Sequence, residues 1–152
     1  MKEYKKTQYG TLIIAVLILI IIFIAYATYF QIGSKPIPFV PAIILVGILI
    51  TSLLLFYKIT IYIDKNKIIA VFGIGLLKRE FLINDINFNT IEKVKFNALT
   101  GIGLRLTSKG WLWNVKVGDA IYFKNKKGDK TFLVGTDDYK EILEILINNN
   151  GL

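Results

Sequence analysis

Leu12-Ile13-Ile14-Ala15-Val16-Leu17-Ile18-Leu19-Ile20-Ile21-Ile22-Phe23-Ile24-Ala25-Tyr26-Ala27 runs sixteen residues with no polar group except the Tyr26 phenol. A second run, Phe39 to Phe56, is interrupted only by Thr51 and Ser52, whose hydroxyls can bond back to a helix carbonyl. A helix of ~20 residues, at ~1.5 Å per residue, crosses a ~30 Å hydrocarbon core. With Thr11, Thr28 and Tyr29 the first run reaches that length, and with Tyr57 the second comes close. Only eleven residues separate them. The pair predicts a membrane hairpin within residues 1–57, with helices over 11–29 and 39–57 and both ends on one side of a bilayer.

Working outward, the charge pattern suggests which side that is. Met1-Lys2-Glu3-Tyr4-Lys5-Lys6 carries three lysines, the connector only Lys35, and Lys58, Lys65, Lys67, Lys78 and Arg79 follow the second run. Lysine and arginine enrichment marks cytoplasmic flanks, so both termini are expected in the cytoplasm, with two spans in the inner (cytoplasmic) membrane. Tyr4 and Tyr9 at one end, and Tyr26, Tyr29 and Phe30 at the other, suit interfacial aromatic belts. A cleavable signal peptide is the rival reading, since the basic start and Ala25-Tyr26-Ala27 resemble its n-region and cleavage site. The second run would then cross inward, and the remainder of the chain stays cytoplasmic under either reading.

Residues 58–152 form the expected soluble part, long enough for one small core. Ile59, Ile61 and Ile63 alternate with Lys58, Thr60 and Tyr62, the period of a half-buried strand. Asp64-Lys65-Asn66 turns the chain into Lys67–Phe72, and Leu76–Leu82 makes a third strand after Gly73-Ile74-Gly75. Asn84–Asn87 reads as a loop, and Ile91–Phe96 alternates again. Ile102–Thr107, with Leu104 and Leu106 on one face, is followed by Trp111–Val115, Ala120–Lys124 and Lys130–Gly135. Asp138-Tyr139-Lys140-Glu141 has capping-box spacing, and Ile142, Leu143, Leu146 and Ile147 continue at helical spacing until Asn148–Gly151. The prediction is about seven short antiparallel strands, a mainly-β barrel or sandwich, with one C-terminal helix.

Gly101-Ile102-Gly103-Leu104-Arg105-Leu106-Thr107, Gly110-Trp111-Leu112-Trp113-Asn114-Val115 and Gly135-Thr136-Asp137-Asp138 resemble the bacterial pleckstrin-homology-like (PH-like) domains, as does Asp85-Ile86 after Phe81-Leu82-Ile83. The resemblance covers residues 58–147, and such domains typically stand behind one or two transmembrane helices. Tyr139 departs from the Pro expected at the first helical position. The resemblance implies two near-orthogonal sheets forming an open barrel, plugged at one end by the helix. It also implies a binding role at the membrane, or a lipid-sensing or protective one that modulates resistance to membrane-active compounds.

The residues offer little for catalysis. With no His and no Cys there is no imidazole base, no thiolate and no ordinary zinc set. Ser34, Ser52 and Ser108 have no base in a recognisable motif. The carboxylates Asp137, Asp138, Glu141 and Glu144 fall where a helix cap and a solvated helix face would put them. No cofactor is expected. The domain carries 15 Lys/Arg against 10 Asp/Glu, scattered rather than clustered in an RNA-type motif, so nucleic acid is not an expected partner. Anionic lipid head groups suit that charge better, and Lys124, Lys126 and Lys127 lie in its densest basic stretch. Trp111 and Trp113, two apart on an extended segment, share one face as core or as an aromatic platform for a protein partner or self-association. Arg105, Lys109 and Lys116 flank them.

Overall fold

In the computed structural model, which describes residues 3–97 and 101–150, the helical pair is inserted between two paired strands. Strand β1 (Tyr4–Tyr9) leads through Gly10 into α1 (Thr11–Tyr29), and α2 (Phe39–Phe56) returns through Tyr57 into β2 (Lys58–Ile63). β1 and β2 are antiparallel in unbroken register from Tyr4↔Ile63 to Tyr9↔Lys58. Gly10 N–H then donates to Tyr57 O at 2.9 Å, carrying the pairing to the helix ends. Both helices are long and apolar enough to cross a membrane.

The N-terminal strand, which the expected division at residue 57 groups with the helices, is therefore paired in a sheet with residues 58–63. Tyr4 is likewise no belt residue: its hydroxyl donates to Asp138 Oδ2 at 2.8 Å, at the end of β1 remote from the helices.

β3 (Lys67–Phe72) and β4 (Leu77–Leu82) complete a four-stranded sheet in the order β1-β2-β3-β4. A 3-10 turn, Ile83–Asp85, leads to β5 (Ile86–Phe96), which starts earlier than the alternation from Ile91 suggests. A register shift between Asn87 and Glu92 hides the first half of that strand from a period-two reading. β6 (Gly103–Thr107), β7 (Gly110–Asn114), β8 (Gly118–Asn125) and β9 (Thr131–Gly135) make the second sheet, ordered β5-β8-β9-β7-β6. The β7–β9 pair is parallel. Among the described residues, nine strands in two sheets, the first antiparallel and the second mixed, with no closed barrel, replace the expected seven antiparallel ones.

The sheets cross. At one end of β9 the Arg79 guanidinium, from edge strand β4, donates to Thr131 O. At the other end Gln8, from the opposite edge strand β1, donates Nε2 to Gly135 O at 3.2 Å. Three inter-strand gaps of ~4.8 Å match the run of a five-residue strand at ~3.3 Å per residue, so β9 lies across the whole first sheet. Along the other axis, Phe123 of β8 meets Phe81 at the remote end of β4, with centroids 5.1 Å apart. Trp113 of β7 instead stacks on Phe72 at the helix end of β3, 5.1 Å away and 15° from parallel. The order β8-β9-β7-β6 thus steps toward the membrane-length helices.

One core fills the crossing. Ile59, Ile61, Ile63, Ile68, Phe72, Phe123 and Phe132 are all buried in it. α3 (Tyr139–Asn150) adds Ile142, Ile145 and Leu146 to that core and packs against the 3-10 turn, closing the end remote from α1 and α2. The helix runs through Asn148 to Asn150, past the stop expected there; Gly151 lies outside the described residues.

Candidate interaction surface

Trp111 and Trp113 do point to one side of β7, but their surroundings differ. Trp113 is 8% exposed and belongs to the core. Its indole N–H has no hydrogen-bond partner among the described residues. This removes it from the surface candidates. Trp111, two residues before it on β7 and toward the β4 side of the crossing, is 47% exposed. Its cross-strand partner, Leu106, is 70% exposed, whereas Leu104, opposite Trp113, packs against the core. The face carrying Leu104 and Leu106 is thus half core and half open. Among the described residues no strand pairs with the outer side of β6, so Leu106 and Trp111 lie beside an unpaired edge.

The basic candidates do not gather around that step. Arg105 faces the other side of β6 and folds back over Gly101, its Nε donating to Ile102 O at 3.3 Å. Lys109 is paired with Glu92 and lies 5.2 Å from the centre of the Tyr122 ring. Lys116 is paired with Asp137. Lys124 is half-buried on β8, its backbone N–H bound to Thr90 Oγ1 at 2.9 Å.

Lys126 and Lys127 are exposed on the β8–β9 hairpin, where Lys126 N–H donates to Asp85 O at 2.8 Å. Asp85 follows the remote end of β4, so this hairpin is at the opposite end of the domain from α1 and α2. Six residues of strand at ~3.3 Å separate the two ends by roughly 20 Å, more than twice a physiological Debye length of ~8 Å. That position does not suit Lys124, Lys126 and Lys127 as a contact with a bilayer held by the two helices.

A second feature escaped the sequence reading. The β3–β4 turn, Gly73-Ile74-Gly75-Leu76, docks on the end of α2. Gly73 N–H donates to Lys58 O at 2.8 Å and Ile74 N–H to Leu54 O at 3.2 Å. The second bond satisfies a terminal helix carbonyl that has no partner within its own helix. Gly73 has φ +49°, and a Cβ there would lie 2.5 Å from Leu55 O. Ile74 and Leu76 are 57% and 73% exposed. The available signal was two large aliphatics in a glycine turn, where polar residues are the rule.

At the other end of β1, Asp138 accepts from Tyr4 and is paired with Lys6. The Lys6 ammonium first, then the Tyr4 hydroxyl, hold this carboxyl below its ordinary 3.8. Burial first, then the hydrogen bond to Asp138, push the Tyr4 phenol up. The carboxylate expected to cap α3 is thus a clasp for the N-terminal strand.

An apolar crevice of about 640 Å³ lies between α1 and α2 near the connector, lined by Ile24, Thr28, Phe39, Ala42 and Gly47 among others. Among the described residues no three His, Cys, Asp or Glu side chains are placed to hold a metal. Comparison of the chain with protein-family models, curated proteins and solved structures gave no significant match.

Proposed function

We propose that this chain is a membrane-anchored, non-catalytic interaction module: a PH-like domain held at the cytoplasmic face of the cytoplasmic membrane by a two-span hairpin. The observation that carries the reading is the insertion of α1 and α2 between paired strands. In their most apolar stretches only 17% of α1 and 6% of α2 is buried. A core helix of a soluble protein would be covered by its own domain, and these are not. Because Tyr9 pairs with Lys58, the hairpin must return to the side it left. Cleavage after Ala27 would strip β1 from its sheet, which favours anchor over signal peptide. The lysine-rich flanks favour the cytoplasm for that side. Two crossed sheets closed at one end by the C-terminal helix favour the PH-like plan.

The partner surface in this reading is the open edge of β6 with Leu106 and Trp111. An unpaired strand edge can accept an extended segment, and an exposed Trp can anchor it. This edge lies toward the helices, so the partner is an extended segment of another membrane protein or of a second copy.

A photo-crosslinking amino acid at Leu106 or Trp111, with Lys127 as control, tests this in native membranes. The reading expects a discrete adduct from the first two positions, lost when the other of the pair is replaced by Ala. Equal adduct patterns from all three positions, or none from Leu106 and Trp111, would sink it. The lipid-sensing or protective alternative is favoured by one observation, the apolar turn at the end of α2.

A further inference from the structure

We infer that the β3–β4 turn is an interfacial anchor whose Ile74 and Leu76 side chains enter the headgroup–acyl boundary of the lipid leaflet next to the domain. This rests on the reading of α1 and α2 as spans but concerns a different surface from the β6 edge. The argument is one of depth. Ile74 N–H is bound to Leu54 O, and Leu54 stands two residues before the end of α2. At ~1.5 Å of rise per residue, the turn is level with the last turn of the helix rather than above it.

Lys58 marks the headgroup level beside it, its ammonium 5.2 Å from the centre of the Tyr57 ring. Leu54 is 45% exposed within the apolar run, so an acyl environment around Leu54 surrounds Ile74 as well. Gly73 admits no side chain at the point of docking, which lets the turn sit this close. Ile74 and Leu76 then project where an aqueous turn would carry polar groups, and lipid is the occupant that their chemistry and their continuity with α2 select.

The consequence is a domain that cannot swing freely on its tether. Gly10 N–H to Tyr57 O and Gly73 N–H to Lys58 O carry the strand pairing up to the helix ends, and Ile74 N–H to Leu54 O ties the β3–β4 turn to α2 itself. Two aliphatic side chains in the leaflet would add a contact outside the hairpin itself, and would make the pose of the domain responsive to lipid packing.

The chain has no cysteine, so single-cysteine variants of the full protein are clean reporters. Ile74→Cys, Leu76→Cys, Lys127→Cys and Leu19→Cys would each be labelled with a polarity-sensitive fluorophore. Each is then reconstituted in phosphatidylcholine–phosphatidylglycerol vesicles holding lipids with a nitroxide either near the headgroup or near the tail end. The inference expects blue-shifted emission at 74 and 76, quenched several-fold more by the shallow nitroxide than the probe at 127. The probe at 19 should be quenched best by the deep one. Probes at 74 and 76 that behave like the one at 127, while 19 is quenched, overturn the inference and leave the spans standing. A probe at 19 that neither lipid quenches overturns the spans and the inference together.

Discussion

Gly73 is the residue on which domain and hairpin meet, and its left-handed φ and the carbonyls against it make it intolerant of a side chain. Gly73→Ala should destabilise the full protein by on the order of 2 kcal/mol or more, since backbone atoms cannot move aside as side chains can. Gly75→Ala is the internal control, because its φ is also positive but its nearest neighbour is Val71 Cγ1 at an ordinary 3.8 Å. Equal losses for both, in denaturant titrations in detergent, would contradict the docking. The tryptophans should separate in the same way: about 3–5 kcal/mol for Trp113→Ala, and within roughly 0.5 kcal/mol for Trp111→Ala. Their two-residue spacing made the shared face legible. Which of them lies over the core depends on how the two sheets cross, and no local pattern records that.

Asp138 makes a pH prediction at the same scale. Its folded-state value is depressed, so its contribution is complete above the ordinary 3.8 and is lost as pH falls through the lower folded value. Amide exchange across Tyr4–Tyr9 should therefore quicken on acidification below about 3.8, and Asp138→Asn should flatten that dependence. Exchange equally acid-sensitive in the variant would assign the effect to another group.

Among the elements, β1 is the one whose sequence said least. Tyr4-Lys5-Lys6-Thr7-Gln8-Tyr9 has no aliphatic alternation, and Gln8 is its only buried residue. Its fit comes instead from polar bonds: Thr7 with Thr60 at 2.9 Å, Gln8 with Gly135 O, and Tyr4 and Lys6 with Asp138. A basic, polar stretch before an apolar run reads naturally as a topogenic flank. The aliphatic alternation of β2 and the helical spacing of α3, by contrast, were visible because each buries its own periodic face.

Residues 58–152 alone should accordingly be a poor domain with an open β2 edge. Joining Tyr9 to Lys58 through a two-residue Asn-Gly turn, in place of both helices, should give a soluble protein, because those residues already stand opposite each other. Cooperative thermal unfolding of the joined form, at a clearly higher temperature than residues 58–152, is the expected result. Equal stability would mean that β1 contributes nothing.

At the scale of the whole molecule, the two apolar helices were legible from length and composition, while the crossing of the sheets was not. That crossing depends on contacts such as Arg79 to Thr131 and Phe72 to Trp113, far apart in sequence and invisible to periodicity. It also sends the most basic hairpin to the end remote from the helices, a placement that charge density in the sequence does not record.

The most direct test of the anchored arrangement is cysteine accessibility in intact cells, with a maleimide that cannot cross the membrane. Lys35→Cys in the connector should be labelled from outside, while Lys5→Cys in β1 and Lys127→Cys in the β8–β9 hairpin should be labelled only after lysis. Labelling of position 5 or 127 in intact cells, or protection of position 35 until lysis, would contradict the account.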